Sequence, residues 1–178
     1  MRIIGGKLKG LKINPPANLP VRPTTDLAKE ALFNILYNQF DFEEIKVLDL
    51  FSGTGNISLE FASRGVPQII SVDRDSGCVN FLKNTAKQHK LENIQVYKDD
   101  VFKFMEAETE PFDIIFADPP YDLSRIPEIV KIVFERNLVS KKGYLIVEHP
   151  SMKTLSNHPN FKEQRIYGSS SFSFFSLS

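Results

Sequence analysis

The chain has 178 residues, of which 42% are hydrophobic and 25% charged, the composition of a globular protein with one domain. Its one cysteine, Cys78, excludes a disulfide framework and a Cys-x-x-Cys metal site and favours a reducing compartment. The 22 basic and 22 acidic residues cancel, which excludes a protein that coats nucleic acid by bulk charge.

Positive charge is concentrated at the start of the chain. Residues 1–25 contain five basic residues and no acidic one, so this segment carries +5 and the remainder −5. Two short strands, around Arg2–Ile4 and Leu11–Ile13, are predicted to form a hairpin, followed by a proline-rich connector. A basic arm on a neutral body suggests contact with a polyanion, although a hairpin whose lysines simply face water explains the charge equally well. We place the arm and connector at residues 1–22 and the main domain at 23–178.

The main domain alternates strands with helices. Pro23, Thr24 and Thr25 open a helix whose apolar residues recur at helical spacing. Buried strands are predicted at 47–51, 69–72, 94–97, 112–117 and 144–148, with helices between them, and the tail forms strands at 161–167 and 171–177. This pattern predicts an α/β fold: a mostly parallel seven-stranded sheet with helices on both faces and antiparallel strands at one edge. The order 3-2-1-4-5 would bring the loops after the first and fourth strands together.

A glycine loop follows the first strand, in the segment Leu48–Asn56. It lacks the Lys-Ser/Thr of a phosphate-binding P-loop, and Ser58 stands where a dinucleotide fingerprint has its third glycine. Asp49, at the end of the strand, would repel a pyrophosphate but attract a ligand with positive charge, such as the ammonium and sulfonium of S-adenosylmethionine.

Two further strands also end in acidic residues. Asp73 follows the second strand, where a carboxylate can accept hydrogen bonds from ribose hydroxyls, and Asp99 and Asp100 follow the third, where they can receive an adenine amine. Each acid alone would be explained as the cap of the next helix. Three of them beside a Gly-x-Gly loop favour a pocket for a cationic adenosine derivative.

Asp118-Pro119-Pro120-Tyr121 follows the fourth strand directly. The prolines fix the backbone and remove two donors, so Asp118 and the Pro119 carbonyl can be held as acceptors for the two N–H groups of an exocyclic amine. Tyr121 can stack on a base that has been withdrawn from its helix. A plain strand-ending turn is the alternative, which the acidic first half of the sheet disfavours.

These motifs together resemble class I S-adenosylmethionine-dependent methyltransferases of the (D/N)PP(Y/F) type that methylate amines. More narrowly, the chain resembles the RsmD family of bacterial 16S rRNA guanine-N2 methyltransferases over nearly its whole length. The segments that carry this resemblance are Met1–Gly6, Arg22–Asp26, Glu30–Leu36, Leu48–Gly55, Ser63–Gly65 and Asp118–Tyr121. Two positions depart from the family: Asp73 replaces a common Glu, and Leu11 stands where many members have a basic residue.

The resemblance implies a Rossmann-like class I methyltransferase fold, S-adenosylmethionine as cofactor, and a role for each of three groups of residues. The expected cofactor-binding residues are Asp49, Phe51, Gly53, Gly55, Asp73, Asp100 and Val101. The residues expected to receive the guanine are Asp118, Pro119, Pro120 and Tyr121. The expected RNA-binding residues are Arg2, Lys7, Lys9, Arg22 and Thr24.

We therefore expect a monomeric enzyme that methylates the exocyclic N2 of a guanine in 16S rRNA, either in the small ribosomal subunit or in its assembly intermediate. An adenine-N6 DNA methyltransferase and a non-catalytic RNA- or adenosine-binding assembly factor are the alternatives. No metal is expected, because the three histidines are scattered, and His149 is expected at the surface or the sheet edge. The chain lacks a signal-peptide core and an apolar run of about 20 residues, so a cytoplasmic location without membrane contact is expected.

Overall fold

The computed structural model describes residues 1–22 and 24–178, and within them one seven-stranded sheet. Five parallel strands are followed in the chain by an antiparallel hairpin, and the spatial order is β3-β2-β1-β4-β5-β7-β6. The order of the first five strands and the antiparallel edge are as predicted, whereas the sequence analysis made no prediction for the order of β6 and β7. The strands are β1 (Lys46–Leu50), β2 (Gln68–Asp73), β3 (Ile94–Lys98), β4 (Phe112–Ala117), β5 (Val139–Pro150), β6 (Phe161–Tyr167) and β7 (Ser170–Phe175). Strand β5 starts five residues earlier than predicted.

Helices cover both faces of this sheet, because alternate residues of each strand point to opposite sides. On one face α1, α2 and α3 pack on residues such as Val47 and Ile114, and on the other α4 and α5 pack on Leu48 and Ile115. The helices are α1 (Asp26–Tyr37), α2 (Asn56–Ser63), α3 (Ser76–Gln88), α4 (Val101–Ala107) and α5 (Ile126–Glu135), with a 3₁₀ turn at Phe42–Glu44. Pro23, predicted to open the first helix, lies outside the described residues. None of these helices is long and apolar enough to cross a membrane.

The N-terminal arm differs from the predicted hairpin. Its two predicted strands reduce, among the described residues, to one isolated bridge between Arg2 and Lys12. The reason is that the amides of Ile4 and Gly5 donate to the Glu60 carboxylate of α2, at 2.9 Å each. The two segments still pair, since the amides of Ile3 and Ile13 donate to the carbonyls of Leu11 and Met1 at 2.9 Å each, and Ile3 lies in the same core as α1 and α2.

A buried ion cluster holds the arm in place. The Lys29 ammonium donates to the Arg2 carbonyl at 2.6 Å and lies 3.1 Å from Glu60, whose other oxygen accepts from Arg64 at 2.8 Å. Burial lowers the pKa of Lys29. Separating these groups would leave an uncompensated buried charge, which is strongly destabilising. The cluster therefore holds the arm against α1 and α2.

Candidate active site

A cleft of about 840 Å³ opens at the carboxyl ends of β1, β2 and β4. Ligands of open α/β sheets bind at this edge, where the strand order reverses between β1 and β4. Most of the predicted site residues line the cleft, namely Asp49, Phe51, Gly53, Asp73, Asp100, Val101, Asp118, Pro119, Pro120, Tyr121, Arg22 and Thr24. The side chains of Lys7 and Lys9 are exposed on the arm, and Arg2 there pairs with Asp26 at 3.4 Å.

The glycine loop after β1 has a left-handed backbone at Phe51, Gly53 and Gly55, with φ of 58°, 54° and 94°. For Phe51 this is a strained conformation of the kind that concentrates at ligand sites. The Gly53 amide donates to Asp73 at 2.9 Å, which joins the loop to the end of β2. Gly55 is also predicted to contact the cofactor, and on the side where a Cβ would point it faces α3, because that Cβ would lie 2.3 Å from Leu82 Cδ1. Its geometry indicates that it permits close helix packing.

Asp49 is almost fully buried, with 1% of the residue exposed. The Ser58 hydroxyl donates to it at 2.6 Å, and the hydroxyl of Ser71 lies 2.6 Å from that of Ser58. Because Ser58 gives its only proton to Asp49, Ser71 must donate to Ser58. Burial raises the pKa of Asp49 to about 7. Ser58 therefore orients the Asp49 carboxyl group. Its place in the sequence, where a dinucleotide fingerprint has a third glycine, was a signal for a special role.

The acids after β2 and β3 differ in what they bind. Asp73 accepts from the amides of Gly53 and Asp75, each at 2.9 Å, so it fixes the cleft wall and caps no helix. Asp75 is the cap of α3. Asp100 caps α4 by accepting from the Lys103 amide at 3.0 Å. The capping explanation thus applies to Asp100 but not to Asp73 or Asp49.

At the other side of the cleft, Asp118 is joined to the connector by Arg22. The guanidinium donates to Asp118 at 3.1 Å and lies 3.7 Å from the centre of the Tyr121 ring. Burial, and after it the charge of Glu148, raise the pKa of Asp118 well above its usual range despite Arg22. Arg22 is predicted to bind RNA, and the structure places its guanidinium in the cleft, against Asp118 and Tyr121.

Glu148, near the end of β5, lies behind the cleft lining and contacts two lining residues, Thr24 and Arg22; sequence reasoning missed this position. Its side chain is fully buried, and one carboxylate oxygen accepts from the Thr24 hydroxyl at 2.6 Å. The other oxygen lies 3.5 Å from Arg22 and has no hydrogen-bond partner among the described residues. Thr24, which lines the cleft, is only 6% exposed, and its hydroxyl donates to Glu148. His149, expected at the surface or the sheet edge, is instead buried on β5, which lies between β4 and β7, and its ring bonds Ser173 at 2.6 Å.

The residues of the cleft fit S-adenosylmethionine. The Ser52 hydroxyl, in the glycine loop, is buried in the cleft wall without a partner in the part of the chain that the structure describes. A buried polar atom of this kind needs a ligand or water to satisfy it. Asp49 offers a carboxylate to a positive group, and the cleft volume is within the range that encloses a cofactor-sized ligand.

Comparison with known proteins gives one family over almost the whole chain. The family model described as conserved hypothetical protein 95 matches residues 1–176. The putative rRNA methyltransferase YlbH of Bacillus subtilis is 34% identical over 153 residues, which are 84% of this chain and 82% of that protein. Ribosomal RNA small subunit methyltransferase D of Escherichia coli is 28% identical over 148 residues, 83% of this chain and 74% of that protein.

A solved structure of a related protein has the same fold. The putative methyltransferase yhhF from Escherichia coli superimposes with a TM-score of 0.86 at 27% identity, covering 98% of this chain and 96% of that one. The fold, the acidic cleft and these matches lead to one conclusion. The chain belongs to the conserved hypothetical protein 95 family, the RsmD family of S-adenosylmethionine-dependent methyltransferases.

Proposed function

We propose that this methyltransferase modifies the exocyclic N2 of a guanine in 16S rRNA, as a monomer that acts in the cytoplasm on the small ribosomal subunit or its assembly intermediate. The observation that carries the proposal is the pairing of β1 with β4, which sets the Asp49 glycine loop beside Asp118-Pro119-Pro120-Tyr121. A methyl donor and an acceptor amine can thereby meet in one cleft. The names of the relatives supply the substrate class.

The cofactor half of the cleft is assigned to the residues after β1, β2 and β3. S-Adenosylmethionine, when bound, supplies a methyl group on a positively charged sulfur. Asp49 and the backbone around Gly53 would hold its methionine part, Asp73 its ribose, and Asp100 and Val101 its adenine. Phe51 closes this half by packing on Phe102 with the rings 6.4 Å apart.

The acceptor half is built to activate a weak nucleophile. The N2 lone pair of guanine is delocalised into the ring, and acceptors aimed at both N–H groups favour a pyramidal nitrogen whose lone pair is free. The Asp118 carboxylate and the Pro119 carbonyl would supply those acceptors, while Tyr121 stacks on the base. The methylated N2 would have to release a proton, and the raised pKa of Asp118 would suit its carboxylate to accept that proton.

Contact with the rest of the RNA is assigned to the arm. Arg2, Lys7 and Lys9 are exposed there and add positive charge beside a neutral body. Lysines in such positions bind phosphates and give affinity without sequence preference.

The test is transfer of labelled methyl from S-adenosylmethionine to small ribosomal subunits from cells lacking the enzyme, to free 16S rRNA and to duplex DNA. The products are then digested to nucleosides. We expect label in N2-methylguanosine from subunits or rRNA. Label only in N6-methyladenine would assign the same cleft to DNA, and cofactor binding without any transfer would indicate a binding protein.

A further inference from the structure

Arg22 makes three contacts in the acceptor half of the cleft. Its guanidinium stacks 3.7 Å from the Tyr121 ring centre, donates to Asp118 at 3.1 Å and lies 3.5 Å from the second oxygen of Glu148. The planar guanidinium thus contacts one aromatic face and two carboxylates. These are also the contacts that a base withdrawn into this cleft would require.

The Watson–Crick edge of guanine resembles a guanidinium group. This edge carries N1–H and the N2 amine on one planar N–C–N unit, so it presents adjacent donors as Arg22 does. Adenine carries an amine beside an unprotonated ring nitrogen, N1, which is an acceptor. Two neighbouring carboxylates therefore match guanine and repel the N1 lone pair of adenine.

Glu148 is held ready for this contact. Thr24 fixes one of its oxygens at 2.6 Å, and the other has no hydrogen-bond partner among residues 1–22 and 24–178. In the described part of the chain, that oxygen has only the Arg22 guanidinium beside it, at 3.5 Å, and a buried acceptor without a hydrogen bond is costly unless a ligand or water supplies one. Arg22, which lies over it, has 47% of its side chain exposed and can leave toward solvent without passing through the core.

We propose that Glu148 is a specificity-determining residue that accepts the guanine N1–H, and that Arg22 holds the position the guanine takes over. This assignment rests on the proposed function, since it identifies how that site selects its base. Asp118 then accepts from the N2 amine, and Glu148 reads the neighbouring ring nitrogen. Arg22 is the resident occupant of the site and does not read the base.

The test uses 2-aminopurine, which keeps the N2 amine but has an acceptor at N1. The target guanine of 16S rRNA is replaced with 2-aminopurine by ligation, and the RNA is presented free or in subunits, whichever form accepts methyl unmodified. Both kcat/KM and RNA affinity are measured for each base. We expect the wild-type protein to prefer guanine, and Glu148→Gln to reduce that preference by roughly 10- to 100-fold, because its amide can donate to N1 of 2-aminopurine.

Two control variants separate the possible failures. Glu135→Gln, an exposed glutamate at the end of α5, makes the same chemical change and should leave the preference unaltered. Arg22→Gln should also keep the preference, because Arg22 occupies the site without reading the base. A preference that Glu148→Gln leaves intact, or that Arg22→Gln abolishes, overturns the assignment while the proposed function stands.

If the wild-type protein methylates guanine and 2-aminopurine equally well, the assignment is wrong. This result needs no variant, so the assignment can be tested even if Glu148→Gln folds poorly. Failure of the proposed function is visible separately. In that case the unmodified guanine RNA accepts no methyl from the wild-type protein.

Discussion

Asp118 is the residue whose removal separates binding from chemistry. Asp118→Ala deletes the acceptor for the substrate amine, and loss of one preorganised transition-state contact typically costs about 10²- to 10³-fold in kcat. Because Asp118 lies on the acceptor side, the affinity for S-adenosylmethionine should change less than about twofold. Single-turnover methyl transfer and calorimetric titration of the cofactor measure the two quantities.

Asp122→Ala is the matched control for this change. Asp122 is an exposed aspartate four residues further along the same loop, and its removal should alter neither quantity. Equal turnover in the wild-type protein and Asp118→Ala would rule out the mechanism, and a parallel loss of cofactor affinity would assign Asp118 to the other half of the cleft.

Asp49 makes cofactor binding depend on pH. Burial raises its pKa to about 7, so in the folded protein it stays protonated at pH values where the unfolded chain has ionised it. The free energy of unfolding should accordingly fall as pH rises from about 4 to about 7. A cationic ligand binds the ionised form, so affinity for S-adenosylmethionine should rise with pH up to about 7 and then level off.

Titration of the cofactor at a series of pH values, with wild-type protein and Asp49→Asn, measures this dependence. Below pH 7 the wild-type affinity should fall by up to about tenfold per pH unit. The variant, which has no proton to lose, should bind weakly with a much flatter profile. The same slope in both proteins would show that another group controls the pH dependence.

Some of these residues can be predicted from the sequence and others cannot. Asp49, Asp73 and Asp118 each follow a buried parallel strand, and the ends of such strands meet at one edge of the sheet. Glu148 also ends a strand, but its role depends on Thr24, 124 residues away, and on Arg22. A pairing of that range leaves no local pattern, so the sequence indicated neither the buried carboxylate nor the position of Arg22.

At the scale of elements, the contact between α2 and α3 depends on Gly55. A Cβ at this position would lie 2.3 Å from Leu82 Cδ1, and φ is +94°. Gly55→Ala should therefore combine backbone strain with a steric clash. Gly10→Ala is the matched control, because Gly10 has φ of +87° and its added Cβ would meet no atom of the described residues within 4 Å.

Urea unfolding of both variants isolates the clash. Backbone strain alone should cost about 1–2 kcal/mol in Gly10→Ala. Gly55→Ala should lose about 1–3 kcal/mol more, the typical cost of overpacking a core. Equal losses in the free energy of unfolding would show that Gly55 is required only for its backbone conformation.

The elements of the sheet are predictable because their signals are local. Buried runs separated by helical periodicity determine parallel strands, and right-handed crossovers restrict their order. The arm is the exception. The amides of Ile3 and Ile13 bond across the arm as in a strand pair, yet those of Ile4, Gly5 and Leu8 donate to Glu60 and Ser63 of α2, more than 50 residues away. Local propensity therefore predicts two strands where tertiary hydrogen bonds leave one bridge.

For the whole molecule, the distribution of charge determines how RNA binding responds to salt. A net charge of zero gives no general attraction, so the arm should account for the counterions released. Replacing both Lys7 and Lys9 by Gln should lower the slope of log K against log salt by about 1 to 2, as expected for two lost phosphate contacts. RNA affinity measured at several salt concentrations gives this slope.

Replacing Lys141 and Lys142 by Gln is the matched control for the arm. It removes the same charge from two exposed lysines near the start of β5, at the end of the sheet opposite the cleft. Its slope should equal that of the wild-type protein. If both double variants behaved alike, the arm would be a solvated segment and the RNA contact would lie elsewhere.

The central claim is that the methyl group is attached to the exocyclic N2 of a guanine, and replacing that guanine by inosine tests it most directly. Inosine keeps N1–H and the ring but lacks the 2-amino group. With 16S rRNA carrying inosine at the methylated position, we predict that the RNA still binds and accepts no labelled methyl at that nucleotide. Labelling of the inosine at the rate of guanine would contradict the account, because the methyl group would then be attached to another atom.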